Sequence, residues 1–219
     1  MTAEADWGQL LGDAPVLPVV AVDDPERAVA LSRALVEGGL PCVEITLRSP
    51  KALACIARVA AEVPGAVVGA GTLTRAGEVA EAEAAGARFL VSPGLTPTLA
   101  DALLASKLPA LPGVATPSEA LAARARGFGA VKVFPAAALG GPGFLRALAA
   151  VTGDLRLCPT GGVGPATLAE YFACPRVFAA GASWPCAKEL IAEGRWGEVR
   201  ERARTLASAA RAALAGEPS

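Results

Sequence analysis

The sequence predicts an α/β fold, a (β/α)8 barrel with an extra N-terminal helix, and three observations predict it. Short runs rich in β-formers alternate with Ala-rich amphipathic stretches along the chain. The alternation occurs eight times within 219 residues. The connections are short, which suits parallel strands with right-handed crossovers, and this many repeats in so small a chain fit a closed barrel better than an open sheet.

The elements follow in order. Strands are predicted over residues 16–22, 41–45, 66–70, 88–91, 110–111, 130–134, 156–158 and 177–180. Helices are predicted over 25–37, 50–62, 75–85, 97–106, 117–126, 143–150 and 165–172. Several open on Pro in the first turn and close on Gly, as at Gly38-Gly39, Gly86 and Gly127, because Pro lacks an N–H the first turn does not need and Gly tolerates the helix exit. Residues 3–12 read as an extra helix capping the N-terminal end of the barrel, and residues 196–213 as a final helix. No linker, low-complexity stretch or second core interrupts the pattern, so residues 1–219 are expected to form one domain.

Composition narrows the function. Hydrophobic residues make up 53 % and charged residues 19 %, with a net charge of −1. No basic field argues for nucleic acid. The opening MTAEADWGQLLGDAP has no basic n-region followed by an apolar run, and no uninterrupted apolar stretch approaches the ~18 residues of a membrane span. The five cysteines are odd in number, widely spaced and form no CxxC pair. A cytoplasmic protein with reduced thiols is therefore expected.

There is no histidine. Ser-His triads, His general bases and imidazole-based zinc sites are excluded, so acid–base work falls to carboxylates, Lys, Tyr, Cys or water. Lys occurs only at positions 51, 107, 132 and 188; every other basic residue is Arg.

In barrels of this class the active site lies at the C-terminal ends of the strands. The second strand ends in Val43-Glu44-Ile45-Thr46-Leu47-Arg48. Alternation sends Val43 and Ile45 toward the helices and turns Glu44 and Thr46 inward. An interior carboxylate must be paired or used, and Arg48 is near enough in sequence to be its partner. The sixth strand reads Ala130-Val131-Lys132-Val133-Phe134-Pro135, with Lys132 and Phe134 inward by the same phase. Burial and a neighbouring Arg48 both disfavour an ammonium and favour a nucleophilic amine. The plainer alternative is a Lys that reaches the rim or pairs with Glu44 for structure alone.

The other strand ends are rich in Gly and Thr: Gly69-Ala70-Gly71-Thr72, Ser92-Pro93-Gly94, Pro112-Gly113-Val114, Pro159-Thr160-Gly161-Gly162 and Gly181-Ala182-Ser183. Glycines after the seventh and eighth strands let backbone N–H groups approach a phosphate. Gly also makes ordinary turns, so each pair alone is weak. Two such loops beside an inward Lys are far more specific together.

These motifs resemble the 2-keto-3-deoxy-6-phosphogluconate (KDPG) aldolase and 4-hydroxy-2-oxoglutarate (KHG) aldolase family, and the likeness runs from Leu17-Pro18-Val19-Val20 to the segment around Trp184. The resemblance implies a class I aldolase on a (β/α)8 barrel, with no cofactor or metal, acting on a small 2-keto acid as a homotrimer. By carry-over Lys132 forms the Schiff base and Glu44 shuttles protons. Arg48 and Thr72 bind the pyruvate carboxylate. Pro93, Phe134 and Thr160 line the pocket, and Gly161, Gly162 and Ser183 hold the phosphate. Two positions depart from the family's habit: Ala137 stands where Glu is common, and Ala182 where Gly is common. Ala182 is expected to add a methyl at the phosphate loop. The alternatives are an aldolase for 2-keto-3-deoxy-6-phosphogalactonate, an aldolase working mainly on 4-hydroxy-2-oxoglutarate, and a non-catalytic phosphate-binding barrel. Thr160 before Gly161-Gly162 favours the gluconate type over the galactonate type.

Overall fold

A computed structural model describes residues 7–215. The elements are α1 (Trp7–Leu11), β1 (Val16–Val20), α2 (Pro25–Glu37), β2 (Cys42–Thr46), α3 (Ala52–Glu62), β3 (Val67–Gly71), α4 (Gly77–Ala84) and β4 (Leu90–Val91), then α5 (Pro97–Ala105), β5 (Ala110–Leu111), β6 (Gly113–Val114), α6 (Pro117–Ala125), β7 (Ala130–Val133) and α7 (Gly141–Thr152). The chain ends with β8 (Arg156–Pro159), α8 (Leu168–Phe172), β9 (Ala180–Ala182), a 3-10 turn (Trp184–Cys186), α9 (Lys188–Glu193) and α10 (Trp196–Ala215). Of the predicted N-terminal helix, residues 3–6 lie outside the described residues.

The fold is α/β with a curled, wholly parallel sheet. Six strands run in the order β5-β4-β3-β2-β1-β9, and three in the order β6-β7-β8. Isolated parallel bridges, Leu157 with Val177 and Thr160 with Gly181, link the β8 side to the β9 side. The fifth predicted strand, residues 110–111, forms as β5, and a short strand outside the prediction, β6, follows it. Ala110 and Leu111 pair with β4, whereas Gly113 and Val114 pair with β7. Pro112 lies between them: it has no N–H to give a ladder, and its carbonyl accepts from Lys132 N at 2.9 Å.

The helices start where the sequence places start signals. Asp24 accepts from Glu26 N and Arg27 N ahead of Pro25. Thr96 accepts from Leu99 N ahead of Pro97. Thr116 and Glu119 make a reciprocal capping box, which satisfies two otherwise orphaned N–H groups. The predicted eighth strand is displaced: Val177 takes part only in a bridge, and the ladder with β1 runs through Ala180–Ala182. The helix expected from residue 165 begins at Leu168, and neither the 3-10 turn nor α9 was expected from the pattern.

Strand alternation divides the core in two. Val16, Val20, Val43, Ile45, Val68, Ala70, Val131, Val133 and Leu157 join the large outer core under the helices. Leu17, Cys42, Phe89, Leu111, Ala130 and Cys158 form a second, inner cluster with Trp7 and Leu11 of α1. Trp7 lies 5.7 Å from the Phe89 ring in an edge-on arrangement and 6.2 Å from Phe178. Gly69 makes room for Phe89, since a Cβ there would come within 2.3 Å of the ring. Cys42 and Ala130 stand two residues before Glu44 and Lys132 on the same faces, so this apolar layer is the floor beneath them. Among the described residues no helix is long and apolar enough to cross a membrane.

Candidate active site

Above that floor the two inward charges meet. Lys132 Nζ donates to Glu44 Oε1 at 3.1 Å, with side-chain exposures of 6 % and 1 %. Glu44 is therefore paired with Lys132 across the fold, and not with Arg48 as sequence proximity suggests. Arg48 lies beyond the end of β2, exposed, and forms no ion pair among the described residues. Across the ladders Glu44 lies level with Val19 and Gly69, and Lys132 with Gly113 and Cys158. Lys132 Nζ also stands 5.4 Å from the centre of the half-buried Phe134 ring, a face that attracts a cation.

Glu44 Oε2 is buried and has no hydrogen-bond partner within the described protein. Leaving a carboxylate oxygen unsatisfied is costly. It suits an oxygen whose partner is a proton on a bound molecule. The strand beside it is pinned, because Thr46 Oγ1 donates to the Val20 carbonyl at 2.9 Å in the interior.

Thr72 carries the clearest strain. Its φ is 61°, a left-handed conformation that is a real outlier for a β-branched residue. Its surroundings hold it there. The Gly71 carbonyl accepts from Leu47 N at 2.8 Å, and Leu73 N donates to Val91 O at 3.1 Å. Glu78 Oε2 accepts from Thr74 N at 2.7 Å and Arg75 N at 3.0 Å. Such strain clusters at ligand clamps, and nothing in the sequence announced it.

Thr160 is buried, and Gly181 on the adjoining segment leaves space for it: a Cβ at 181 would meet Thr160 Oγ1 at 2.3 Å. Gly161 and Gly162 hold φ of 96° and 80°, so a side chain at either would be strained. Their loop nests against the one after β7. Ala137 N donates to the Gly161 carbonyl at 3.0 Å, and a Cβ at Gly162 would come within 2.4 Å of the Ala137 methyl. Pro93 is half-buried, and its backbone passes so close to Gly113 that a Cβ there would meet the Pro93 carbonyl at 2.2 Å. Ser183 is exposed just after β9. The following turn is fixed by Arg202, which donates to the Trp184 carbonyl at 3.1 Å and stacks on that ring at 5.1 Å.

Ala182 corrects an expectation. Its methyl lies in the outer core with Ala180, not at the loop that carries Ser183. The residues flanking it on the inward phase are Gly181 and Ser183, so the substitution adds packing behind the strand and leaves the loop's inner surface as it was.

Cys158 is level with Lys132 and buried; burial pushes its thiol up to about 12. It stays protonated at neutral pH and is no rival nucleophile. Among the described residues no group of three His, Cys, Asp or Glu side chains is placed to hold a metal ion.

Known proteins share much of this sequence and fold. The family model described as "Aldolase: KDPG and KHG aldolase" matches residues 8–202. The 2-dehydro-3-deoxy-phosphogluconate aldolase of Pseudoalteromonas atlantica is 40 % identical over 190 residues, 87 % of this chain and 88 % of that one. The KHG/KDPG aldolase of Escherichia coli is 40 % identical over 195 residues, 89 % of this chain and 92 % of that one. The KDPG aldolase of Legionella pneumophila, solved with pyruvate captured at low pH as a covalent carbinolamine intermediate, superposes with a TM-score of 0.88 at 35 % identity, covering 93 % and 98 % of the two chains. With a model match over most of its length and relatives at this identity, the chain belongs to the KDPG and KHG aldolase family.

Proposed function

We propose that this protein is a class I aldolase that cleaves 2-keto-3-deoxy-6-phosphogluconate to pyruvate and glyceraldehyde 3-phosphate, and also cleaves 4-hydroxy-2-oxoglutarate to pyruvate and glyoxylate. One observation carries the reading: a Lys and a Glu with one free oxygen, paired at 3.1 Å inside a family member whose floor is otherwise apolar. The unpartnered Glu44 Oε2, beside a buried amine, supports a chemical use over a purely structural pair.

The chemistry follows from these groups. Deprotonated Lys132 Nζ adds to the C2 ketone, and the carbinolamine loses its hydroxyl as water, with Glu44 supplying the proton, to give the protonated imine. Glu44 then takes the C4 hydroxyl proton. The C3–C4 bond breaks, its electron pair passes into the iminium as an enamine, and the new aldehyde leaves. C3 of the enamine takes up a proton, and water hydrolyses the imine to release pyruvate and free Lys132. The iminium is the electron sink that a Lewis acid would otherwise supply. Arg48 and the strained Thr72 hold the pyruvate carboxylate. Pro93, Phe134 and Thr160 line the pocket, and Gly161, Gly162 and Ser183 hold the phosphate.

The curled sheet reads as a closed eight-stranded barrel forming one domain. Counting β5 and β6 as one strand interrupted at Pro112, and joining β8 to β9 through the two isolated bridges, supports this reading. The family likeness supports a cytoplasmic homotrimer; sedimentation equilibrium at micromolar concentration should give three times the chain mass, and a stable monomer would overturn it.

The substrate range is tested by comparing kcat/KM on the phosphogluconate, phosphogalactonate and unphosphorylated substrates. The phosphate loops offer neutral donors without Lys or Arg, and charge-assisted hydrogen bonds contribute about 1.5–3 kcal/mol each, so a preference of at least about tenfold for the phosphorylated gluconate substrate is expected. Ser183→Ala should shrink that preference and leave 4-hydroxy-2-oxoglutarate cleavage nearly unchanged. Equal losses on both would assign Ser183 to the fold.

A further inference from the structure

We infer that Gly71 is a positioning residue for the reaction: its missing side chain is the space in which the Glu44 carboxylate stands beside Lys132. The inference rests on the role given to Glu44 above.

The geometry is specific. A Cβ built at Gly71 would lie 2.2 Å from Glu44 Oε1, 2.5 Å from its Cγ and 2.7 Å from its Cδ, and these are its three nearest neighbours. The oxygen it would strike first is the one that accepts from Lys132. Gly71 is not among the positive-φ glycines, so the backbone does not demand Gly there. Its two ladder positions are ordinary: it is level with Thr46 on β2, and its carbonyl accepts from Leu47 N at 2.8 Å, bonds any residue could make. What a side chain at 71 would meet first is therefore the Glu44 side chain.

Gly113 and Gly69, two other inward glycines, behave differently. At Gly113 an added Cβ would meet the Pro93 backbone, and at Gly69 the Phe89 ring deep in the floor, so those positions support the fold. At Gly71 the obstacle is the end of a side chain that can swing. Gly71→Ala should thus fold and push Glu44 away from Lys132, separating the proton shuttle from the imine without touching either residue.

A double-mutant cycle of Gly71→Ala and Glu44→Ala, read by kcat on 2-keto-3-deoxy-6-phosphogluconate and by the urea unfolding midpoint, tests this. General acid–base groups supply about 10²–10⁴-fold, and Gly71→Ala should remove at least about tenfold of it. In the Glu44→Ala background, where the obstacle is gone, the same change should alter kcat by less than about twofold, the margin for independent sites. The midpoint should fall on adding Gly71→Ala to the wild type and hold steady on adding it to Glu44→Ala. Gly77→Ala, with open space at its Cβ, serves as control and should match the wild type. Losses that multiply in the double variant, or Gly71→Ala within about twofold of wild type, would overturn the inference. If Gly71→Ala alone is unfolded and the double variant folded, the inference stands; if both are unfolded, it falls. A wild type without aldolase activity would sink the proposed function instead, and the unfolding midpoints would still decide whether Gly71 exists to seat Glu44.

Discussion

Lys132→Arg is expected to abolish the pyruvate adduct that borohydride traps on the wild type and to lower kcat by at least about 10³-fold, some 4 kcal/mol of lost transition-state stabilisation. Arg is the informative replacement. It keeps a cation opposite Glu44 but is always protonated, so it cannot attack a carbonyl. Lys132→Ala would remove both properties at once and leave Glu44 buried and unpaired, a cost of roughly 3–5 kcal/mol to the fold. Mass spectrometry of the trapped wild type should place the added mass on Lys132. An adduct on Lys51, Lys107 or Lys188, or an Arg variant that still turns over, would refute the assignment.

The second large effect is expected at Glu44. Glu44→Gln keeps the shape and the ability to accept one hydrogen bond, but it cannot carry a proton between carbinolamine, C4 hydroxyl and enamine. The drop of about 10²–10⁴-fold should appear in kcat, with the chain still folded by circular dichroism. Slow trapping of pyruvate on Lys132 should persist, since the nucleophile remains. A variant within about threefold of wild type would move the proton work to water or another group.

Much of this site was legible because strands alternate with period two. Lys132 between Val131 and Val133, and Glu44 between Val43 and Ile45, can face only inward once the valines and isoleucine face the helices. The same arithmetic places Ala182 outward, between Gly181 and Ser183, although its identity alone suggested a methyl in the phosphate loop. Glu44's partner was legible only as one of two candidates. Arg48 is four residues away and Lys132 is 88 away; only the register of strands across the fold favours the distant one. Not legible was β6, which follows Pro112 and pairs with β7 while the predicted residues 110 and 111 pair with β4. The turn at Trp184–Cys186 and α9 escaped because both are too short to show a helical period. The strain at Thr72 escaped for a simpler reason: no residue type announces a conformation that its neighbours impose.

The floor built by Trp7, Phe89, Phe178 and the inner leucines has a kinetic consequence. With that end plugged by apolar side chains, the proposed reaction has its doorway at the opposite end, where the strand C-termini lie. On the proposed assignment, the half of the substrate held by Lys132 lies deepest, and the phosphorylated half lies nearest the exit. Departure must then run in single file, the aldehyde first and the lysine-bound three-carbon unit behind it. In reverse, pyruvate must board before the aldehyde, which predicts ordered rather than random addition in the condensation direction. Glyceraldehyde 3-phosphate arriving early would stand in the corridor as a dead-end inhibitor, competitive against pyruvate.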